Sequence, residues 1–303
     1  MKLSFIVPTY NCKTYVQECL ASIQNQTMQD FECIVVDDES TDGTYEWCLE
    51  ASASDSRIKP IQQKHSWAAS CRNRGIDMAQ GEYVWIVDSD DLIAANAAEQ
   101  TLDFIEANSL QMAMVDGEAF SDGANMFSLM HSISYLQRKV NYGIASGQEV
   151  LRRMVDNLNF NCYVFLQVIR RDAISHKFPI IALDEDMVYT IQNLANLERV
   201  GHLPKALYRK RCRSKSTLTS AMTLDKTISL LDAIDLVLDW TAEELERKSI
   251  DASTAECIER QLEIYALEIR TRFKRLGPDE LRKVEALPFK RRARLKILSK
   301  DAK

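Results

Sequence analysis

The chain has 303 residues, 46% of them hydrophobic and 27% charged, with 38 Lys and Arg residues against 44 Asp and Glu residues and a formal net charge of −6. These values are typical of a soluble globular protein, and no apolar run approaches the ~20 residues of a membrane-spanning helix. The eight cysteines contain no Cys-x-x-Cys pair and the four histidines are widely spaced, so neither a zinc site nor a catalytic triad is expected.

The first 115 residues alternate predicted strands with predicted helices. Apolar runs predict strands at 3–7, 33–36, 58–61, 83–87 and 112–115. Apolar residues at helical spacing predict helices at 15–23, from residue 44 onward, at 68–78 and at 92–107. This alternation implies a mostly parallel sheet with right-handed crossovers, in which ligands bind beyond the carboxyl ends of the strands.

The later part of the chain is less regular at first and then helical. Residues 117–147 give no clear pattern, while the segments at 148–156 and 185–197 look helical and 163–169 looks like a strand. From Leu224 onward, two apolar stripes predict two long helices, the second capped by Ser253 with Glu256. We therefore expect a domain at 1–220, with parts at 1–115 and 116–220, and a helical C-terminal extension at 221–303.

Three carboxylates crowd the end of the strand at 83–87. Asp88 and Asp90 lie two residues apart, so in an extended segment they point the same way and can share one ion or ligand. Carboxylate oxygens favour Mg²⁺ or Mn²⁺ over zinc. The alternative is a solvated acidic turn that caps the next helix through Asp91.

A second acidic strand end carries Asp37 and Asp38. These side chains could accept hydrogen bonds from a nucleobase or a ribose hydroxyl, as acidic groups at the strand ends of α/β proteins do. The alternative is a capping turn closed by residues 40–42, which explains the downstream residues but not the doubled acid.

Two arginines, Arg72 and Arg74, lie in a predicted helix near the same edge of the sheet. A guanidinium suits bidentate contact with phosphate or carboxylate, and the alternative role is a salt bridge to one of the acidic strand ends. Only Gly43 and Gly75 occur before residue 80, so there is neither a Gly-x-Gly-x-x-Gly motif nor a P-loop. This excludes dehydrogenases and P-loop kinases.

Four segments taken together resemble the successive motifs of family 2 glycosyltransferases. They are Val7 to Asn11, Val35 to Thr44, Ala69 to Gly75 and Ala79 to Asp91. The order and spacing match over roughly residues 3–115. The resemblance implies a GT-A fold with a Rossmann-like sheet, a nucleoside-diphosphate sugar donor, a divalent metal (Mn²⁺ or Mg²⁺) and inversion at the anomeric carbon. It also makes 1–115 the nucleotide-sugar-binding part and 116–220 the acceptor-binding part.

The resemblance further implies roles for individual residues. The positions that it assigns to the nucleotide are Pro8, Tyr10, Asp37, Asp38, Arg72 and Ser89. Asp88 and Asp90 would form the Asp-x-Asp metal motif, with Asp90 as the direct ligand. The sequence departs from the family pattern at Trp67, where a small residue is usual, and this puts the identity of the donor in doubt.

The segment Asp184-Glu185-Asp186 resembles the Glu-Asp motif of the same family. The resemblance makes Asp186 the catalytic base, with Glu185 as its neighbour. Neighbouring carboxylates could raise the pKa of Asp186 through like-charge repulsion. The alternative is a helix N-terminus that is enriched in acids because the helix dipole favours them.

Two basic segments follow. Residues 208–216 could close over the donor diphosphate as a lid, or form a solvated loop. The tail at 288–298 interleaves basic and apolar residues, which is typical of a segment lying on an anionic membrane, although a solvated basic end is the alternative. A nucleic-acid partner is not expected, because the rest of the protein is acidic.

These observations favour an inverting, metal-dependent glycosyltransferase of the hexosyl-transferring type. We expect a UDP-sugar donor, a glycan or lipid-linked acceptor, and a role in bacterial surface polysaccharide synthesis. The apolar N-terminal run is too short for a signal peptide, so we expect a cytoplasmic protein with peripheral association at the inner face of the membrane. The alternatives are a haloacid-dehalogenase-like phosphatase with Asp88 as nucleophile and Asp90 as acid, and an inactive nucleotide-sugar-binding subunit.

Overall fold

A computed structural model of the protein describes residues 1–123, 136–213 and 224–273. The strands in these ranges are β1 (Leu3–Thr9), β2 (Phe31–Asp37), β3 (Ile58–Gln62), β4 (Tyr83–Ile86), β5 (Leu92–Ile93), β6 (Met112–Asp122), β7 (Ile144–Ala145), β8 (Gln167–Arg170) and β9 (Val200–Arg213). The helices are α1 (Lys13–Gln24), α2 (Thr44–Ser54), α3 (Trp67–Met78), α4 (Ala97–Ala107), α5 (Gly147–Asp156), α6 (Glu185–Ala195), α7 (Leu224–Arg247) and α8 (Ala252–Phe273). The strands form one sheet in the order β3-β2-β1-β4-β8-β6-β9-β5, with β7 paired to β9.

The first half of the sheet is parallel, as the sequence predicts. Strand β1 pairs in parallel with β2 and β4, and β2 pairs with β3. Every residue of β1, β2 and β4 is buried, which explains why these strands read as continuous apolar runs rather than as alternating ones. Their carboxyl ends meet at one edge, where the backbone N–H of Asn11 donates to Ser40 Oγ at 2.8 Å.

The second half of the sheet is mixed. Strand β8 is antiparallel to both β4 and β6, whereas β6 and β9 are parallel. The helix expected at 92–107 begins only at Ala97, because Leu92 and Ile93 pair with Tyr208 and Arg209 of β9. Long-range pairing thus overrides the local helical pattern. The strand expected at 163–169 likewise begins as a 3₁₀ turn and becomes β8 only at Gln167.

The C-terminal helices share a core with the helices that flank the sheet. Apolar residues of α5, α6, α7 and α8 belong to one buried cluster with residues of β1 and β4. Asp251 rather than Ser253 caps α8, since its carboxylate accepts the Thr254 N–H at 2.7 Å. The predicted domain boundary at 220 lies outside the described residues, as do the tail at 288–298 and residues 214–216. Within the described ranges, no helix combines the length and the apolar character that crossing a membrane requires.

Candidate active site

Asp37 is the last residue of β2, and its two carboxylate oxygens differ in their hydrogen bonding. The side chain is fully buried, and its Oδ2 accepts hydrogen bonds from the Ser40 N–H and from Gln62 Nε2, both at 2.9 Å. Its Oδ1 is buried without a hydrogen-bond partner among the described residues. A buried oxygen left unpaired costs about 1–3 kcal/mol, so a ligand N–H or O–H that reached it would be bound favourably.

Asp38 has a different position, because its carboxylate organises the loop between β3 and α3. Its Oδ1 accepts from Gln63 Nε2 and from the Ser66 N–H, both at 2.9 Å. Its Oδ2 accepts the Trp67 N–H at 3.0 Å and lies 2.8 Å from His65 Nδ1. A nucleotide contact by Asp38 therefore stays a prediction, and it would require one of these partners to move.

The two remaining nucleotide candidates near this edge differ in exposure. Pro8 is buried within β1, where it pairs with Val36 of β2. Tyr10 lies just beyond the strand and keeps 50% of its side chain exposed. Tyr10 is thus available to a ligand, whereas Pro8 shapes the strand end beneath it.

Arg72 joins the two acidic motifs. Its guanidinium is buried, and Nη1 donates to Glu185 Oε1 at 2.6 Å and to Asp186 Oδ1 at 2.9 Å. Its Nη2 lies 3.5 Å from Asp88 Oδ1. The salt bridge considered from the sequence is therefore present, and it brings the Asp-x-Asp motif and the Glu-Asp motif to one guanidinium. Its Nε is buried without a hydrogen-bond partner in the described part of the chain.

The pKa of Asp186 is shifted in the direction that a general base requires. Burial raises this pKa to about 8, with Arg72 opposing the rise and the carboxylates of Glu185 and Asp88 adding to it. An ordinary Asp has a pKa near ~4 and is a weak base at neutral pH. A pKa near the working pH makes a carboxylate a better proton acceptor.

The three acids after β4 have three different environments. Asp88 lies 3.6 Å from Lys210 Nζ, and Asp90 pairs with Arg213 Nε at 2.9 Å. Asp91 is fully buried, and burial raises its pKa to about 7.

Asp91 does not cap a helix, which was the alternative drawn from the sequence. Its carboxylate accepts hydrogen bonds from Tyr208 Oη and from the Arg211 N–H, both at 2.7 Å. These hydrogen bonds connect the turn after β4 to β9. Ser89, in the same turn, is buried.

Lys210 and Arg213 are site residues to which sequence reasoning gave no individual role. The only signal was the basic segment at 208–216, which was expected to be a lid or a solvated loop. Residues up to Arg213 instead form β9. This pairing places their cationic groups beside Asp88 and Asp90.

The donor set at Asp88 and Asp90 suits a hard divalent cation. No group of three or more His, Cys, Asp or Glu side chains in the described ranges is arranged to hold a metal ion. Two carboxylates are nevertheless enough for Mg²⁺ or Mn²⁺ when phosphate oxygens and water complete the coordination. The basic side chains now paired with these two aspartates neutralise the charge that a metal would neutralise.

A parallel half-sheet with acidic strand ends, joined through Arg72 to the partly buried carboxylate of Asp186 at the start of α6, is the architecture of a GT-A glycosyltransferase. Residues 4–178 match the family described as Glycosyl transferase family 2. The chain belongs to this family, which confirms the resemblance drawn from the four sequence motifs.

Relatives agree with this assignment. The chain is 29% identical over 279 residues to glycosyltransferase GlyA of Streptococcus pneumoniae serotype 4, covering 87% of this chain and 36% of GlyA. It is 40% identical over 100 residues to putative glycosyltransferase EpsH of Bacillus subtilis, covering 33% of this chain and 29% of EpsH. The chain thus spans about a third of the length of these curated relatives.

Solved structures show the same fold. S. aureus TarS in complex with UDP superposes with a TM-score of 0.71 at 20% identity, covering 99% of this chain and 89% of that chain. The mannosyltransferase PcManGT from Pyrobaculum calidifontis, in complex with GDP-Man and Mn²⁺, gives a TM-score of 0.55 at 14% identity, covering 98% and 84%. The GT-A fold expected from the sequence is confirmed.

Proposed function

We propose that the protein is an inverting, metal-dependent glycosyltransferase that moves a sugar from a UDP-sugar to a hydroxyl of a glycan or lipid-linked acceptor. The observation that carries the proposal is the contact of one buried guanidinium, Arg72, with both Asp88 and Asp186. A candidate diphosphate site and a candidate base are thereby only one side chain apart. Such closeness suits a reaction in which a leaving group departs as an acceptor attacks.

The donor nucleotide would bind at the ends of β1, β2 and β4. Asp37 would accept a hydrogen bond at Oδ1, which has no partner among the described residues, and the exposed ring of Tyr10 would contact the nucleotide. The carboxylates of Asp88 and Asp90 would hold the metal ion. When bound, a Mn²⁺ or Mg²⁺ ion supplies charge neutralisation for the departing diphosphate. The UDP-GlcNAc bound by S. aureus TarS, of the same fold, supports a UDP-sugar as donor.

Asp186 would take the proton of the acceptor hydroxyl as that oxygen attacks the anomeric carbon from the face opposite the diphosphate. The acceptor oxygen bonds to carbon, the glycosidic bond to phosphate breaks, and the proton moves to Asp186. The raised pKa of Asp186 supports this role. Glu185 shares Arg72 with Asp186 and would hold the guanidinium in place.

We further propose that 1–115 binds the donor, 116–220 the acceptor, and 221–303 forms a helical extension whose basic tail meets the inner face of the membrane. Bacterial surface polysaccharide synthesis is the process that we propose for the reaction. The names of the S. pneumoniae and B. subtilis relatives support a bacterial transferase.

The test is transfer from UDP-sugars to lipid-diphosphate sugar acceptors, with UDP release and product anomeric configuration as readouts. We expect Mn²⁺-stimulated UDP release and an inverted product. Phosphate release from simple phosphomonoesters without UDP release would instead indicate a phosphatase. Retention of configuration would contradict the role given to Asp186.

A further inference from the structure

Trp67 has a backbone conformation that its side chain does not favour. Its φ is +71°, in the left-handed region, where bulky non-glycine residues are rare. The conformation is imposed by Asp38, which accepts the N–H groups of Ser66 and Trp67. Such strain costs about 1–3 kcal/mol and tends to persist at functional sites.

The indole that this conformation presents is part of an exposed aromatic row. Tyr10 is 50% exposed and Trp67 is 53% exposed. The His65 ring lies 4.6 Å from the Tyr10 ring and 5.6 Å from the Trp67 ring, centroid to centroid. The ring planes are tilted by 33° and 48°, and both separations fall within the ~4.5–7 Å range of interacting aromatic pairs. The row belongs to no buried core, so packing does not explain it.

The loops that carry the row follow the two strand ends on either side of Asp37, whose Oδ1 has no hydrogen-bond partner among the described residues. Asp37 pairs with Thr9 of β1 and with Gln62 of β3, so the chain leaves these neighbouring strand ends toward Tyr10 on one side and His65 on the other. A planar ligand held between the two loops would have aromatic faces to stack on and a buried acceptor near its edge. A nucleobase has both the flat face and the N–H edge that such a site requires.

We propose that the His65 imidazole is a stand-in for the donor nucleobase, which means that it occupies the position that the base takes on binding. The base then displaces the imidazole and stacks between Tyr10 and Trp67. This inference rests on the proposed function and assigns Trp67 as a second wall of the base site. Displacement breaks few polar contacts, because the His65 side chain is 43% exposed and, among the described residues, its ring is held through Nδ1, which lies 2.8 Å from Asp38 Oδ2. Its departure also leaves Asp38 Oδ2 able to accept a hydrogen bond from the ligand.

The test compares UDP binding by calorimetry in the wild type, Trp67→Gly and His65→Ala, with inorganic pyrophosphate as a probe that has no base. Trp67→Gly should weaken UDP binding about tenfold, in line with the loss of one base-stacking contact, and leave pyrophosphate binding unchanged. Glycine accepts a positive φ without strain, so the melting temperature should not fall. His65→Ala should tighten UDP binding severalfold because a competitor for the base position is removed.

The matched control is Leu158→Ala. Leu158 is also apolar, 72% exposed and at positive φ (49°), but it follows α5. It should change neither UDP nor pyrophosphate binding.

Fluorescence gives an independent readout. UDP should change the emission of the wild type, and Trp67→Phe should remove most of that change, because Trp85 and Trp240 are buried and Trp47, in α2, packs against the apolar core. Equal weakening of UDP binding by His65→Ala and Trp67→Gly, or no weakening by Trp67→Gly, would overturn the stand-in role while leaving the transferase proposal intact. Absence of UDP and GDP binding by the wild type would overturn both.

Discussion

Arg72 Nη1 lies 2.9 Å from Asp186 Oδ1, although 114 residues separate them in the chain. The same guanidinium reaches Asp88 on the other side. The charge state of the candidate base is therefore linked to the residues proposed to hold the donor diphosphate. The two roles can still be tested separately by mutation, because different residues, Asp90 and Asp186, are proposed for metal binding and for proton transfer.

Asp186→Asn should preserve UDP binding and reduce sugar transfer by about 10²–10⁴-fold, the usual contribution of a general base. Asparagine keeps the shape of the side chain but cannot take the proton from the hydroxyl of the acceptor. Calorimetry for binding and UDP release for transfer separate the two effects. Asp172→Asn is the control, since that side chain is 73% exposed and, among the described residues, forms an ion pair with Arg170 alone. Normal transfer by Asp186→Asn would refute its role.

The pH dependence of kcat/KM should report the base in the free enzyme. Burial raises the pKa of Asp186 to about 8, and only the deprotonated form can act. We therefore expect kcat/KM to fall as the pH drops below about 8.

Changes at Arg72 test the cause of this pH dependence. Because the charge of Arg72 opposes the rise in the pKa of Asp186, Arg72→Ala should move the midpoint to higher pH. Arg72→Lys keeps the charge and should move it less. The same midpoint in the wild type and Arg72→Ala would show that another group controls the acid limb.

Arg72→Ala should also lower the free energy of unfolding, by about 3–5 kcal/mol if the pair behaves as other buried ion pairs do when one partner is removed. Glu185 and Asp186 would lose their shared cation. Urea unfolding measures the change. Arg74→Ala, in the same helix, is the matched control, because Arg74 is exposed and, in the described part of the chain, donates only to the backbone oxygen of Gln62. An equal fall in the free energy of unfolding for Arg72→Ala and Arg74→Ala would show that the ion pairs of Arg72 contribute nothing special to stability.

Gly75→Ala should destabilise the contact between α3 and β1. A Cβ at Gly75 would lie 2.3 Å from Ile6 Cγ2, closer than atoms approach in proteins. Such overpacking costs about 1–3 kcal/mol. Thermal unfolding of Gly75→Ala, Ile6→Ala and the double mutant forms a cycle, in which the double mutant should lose less than the sum of the two single changes. Strict additivity would mean that Ile6 is not the obstacle.

The sequence predicted the parallel half of the sheet well because that half is local. Buried runs such as Leu3–Thr9 and Phe31–Asp37 have one interpretation when helices separate them. Leu92 and Ile93 were assigned to a helix because nothing nearby in the sequence signals their pairing with β9. Periodicity describes a segment alone, and a two-residue strand depends wholly on its distant partner.

The candidate site likewise has residues that local sequence could predict and contacts that depend on distant parts of the chain. The acidic strand ends were recognised from their charge density, and a salt bridge from Arg72 to one of them was considered. Its partnership with Glu185 and Asp186 could not be deduced, because the pairing spans more than a hundred residues. The ring contact between His65 and Tyr10 could likewise not be deduced, since an isolated histidine in a loop carries no sequence pattern.

The most direct test of the account is calorimetric binding of UDP, with GDP and dTDP as comparisons, in the presence of Mn²⁺ and after its removal by chelation. Wild type, Asp90→Asn and Asp122→Asn should be compared, the last as a control for losing a carboxylate that pairs with a β9 arginine. We predict UDP binding that depends on Mn²⁺ in the wild type and the control, and that loses this dependence in Asp90→Asn. Failure of the wild type to bind any nucleotide, with or without Mn²⁺, would contradict the assignment of this sheet edge as a donor site.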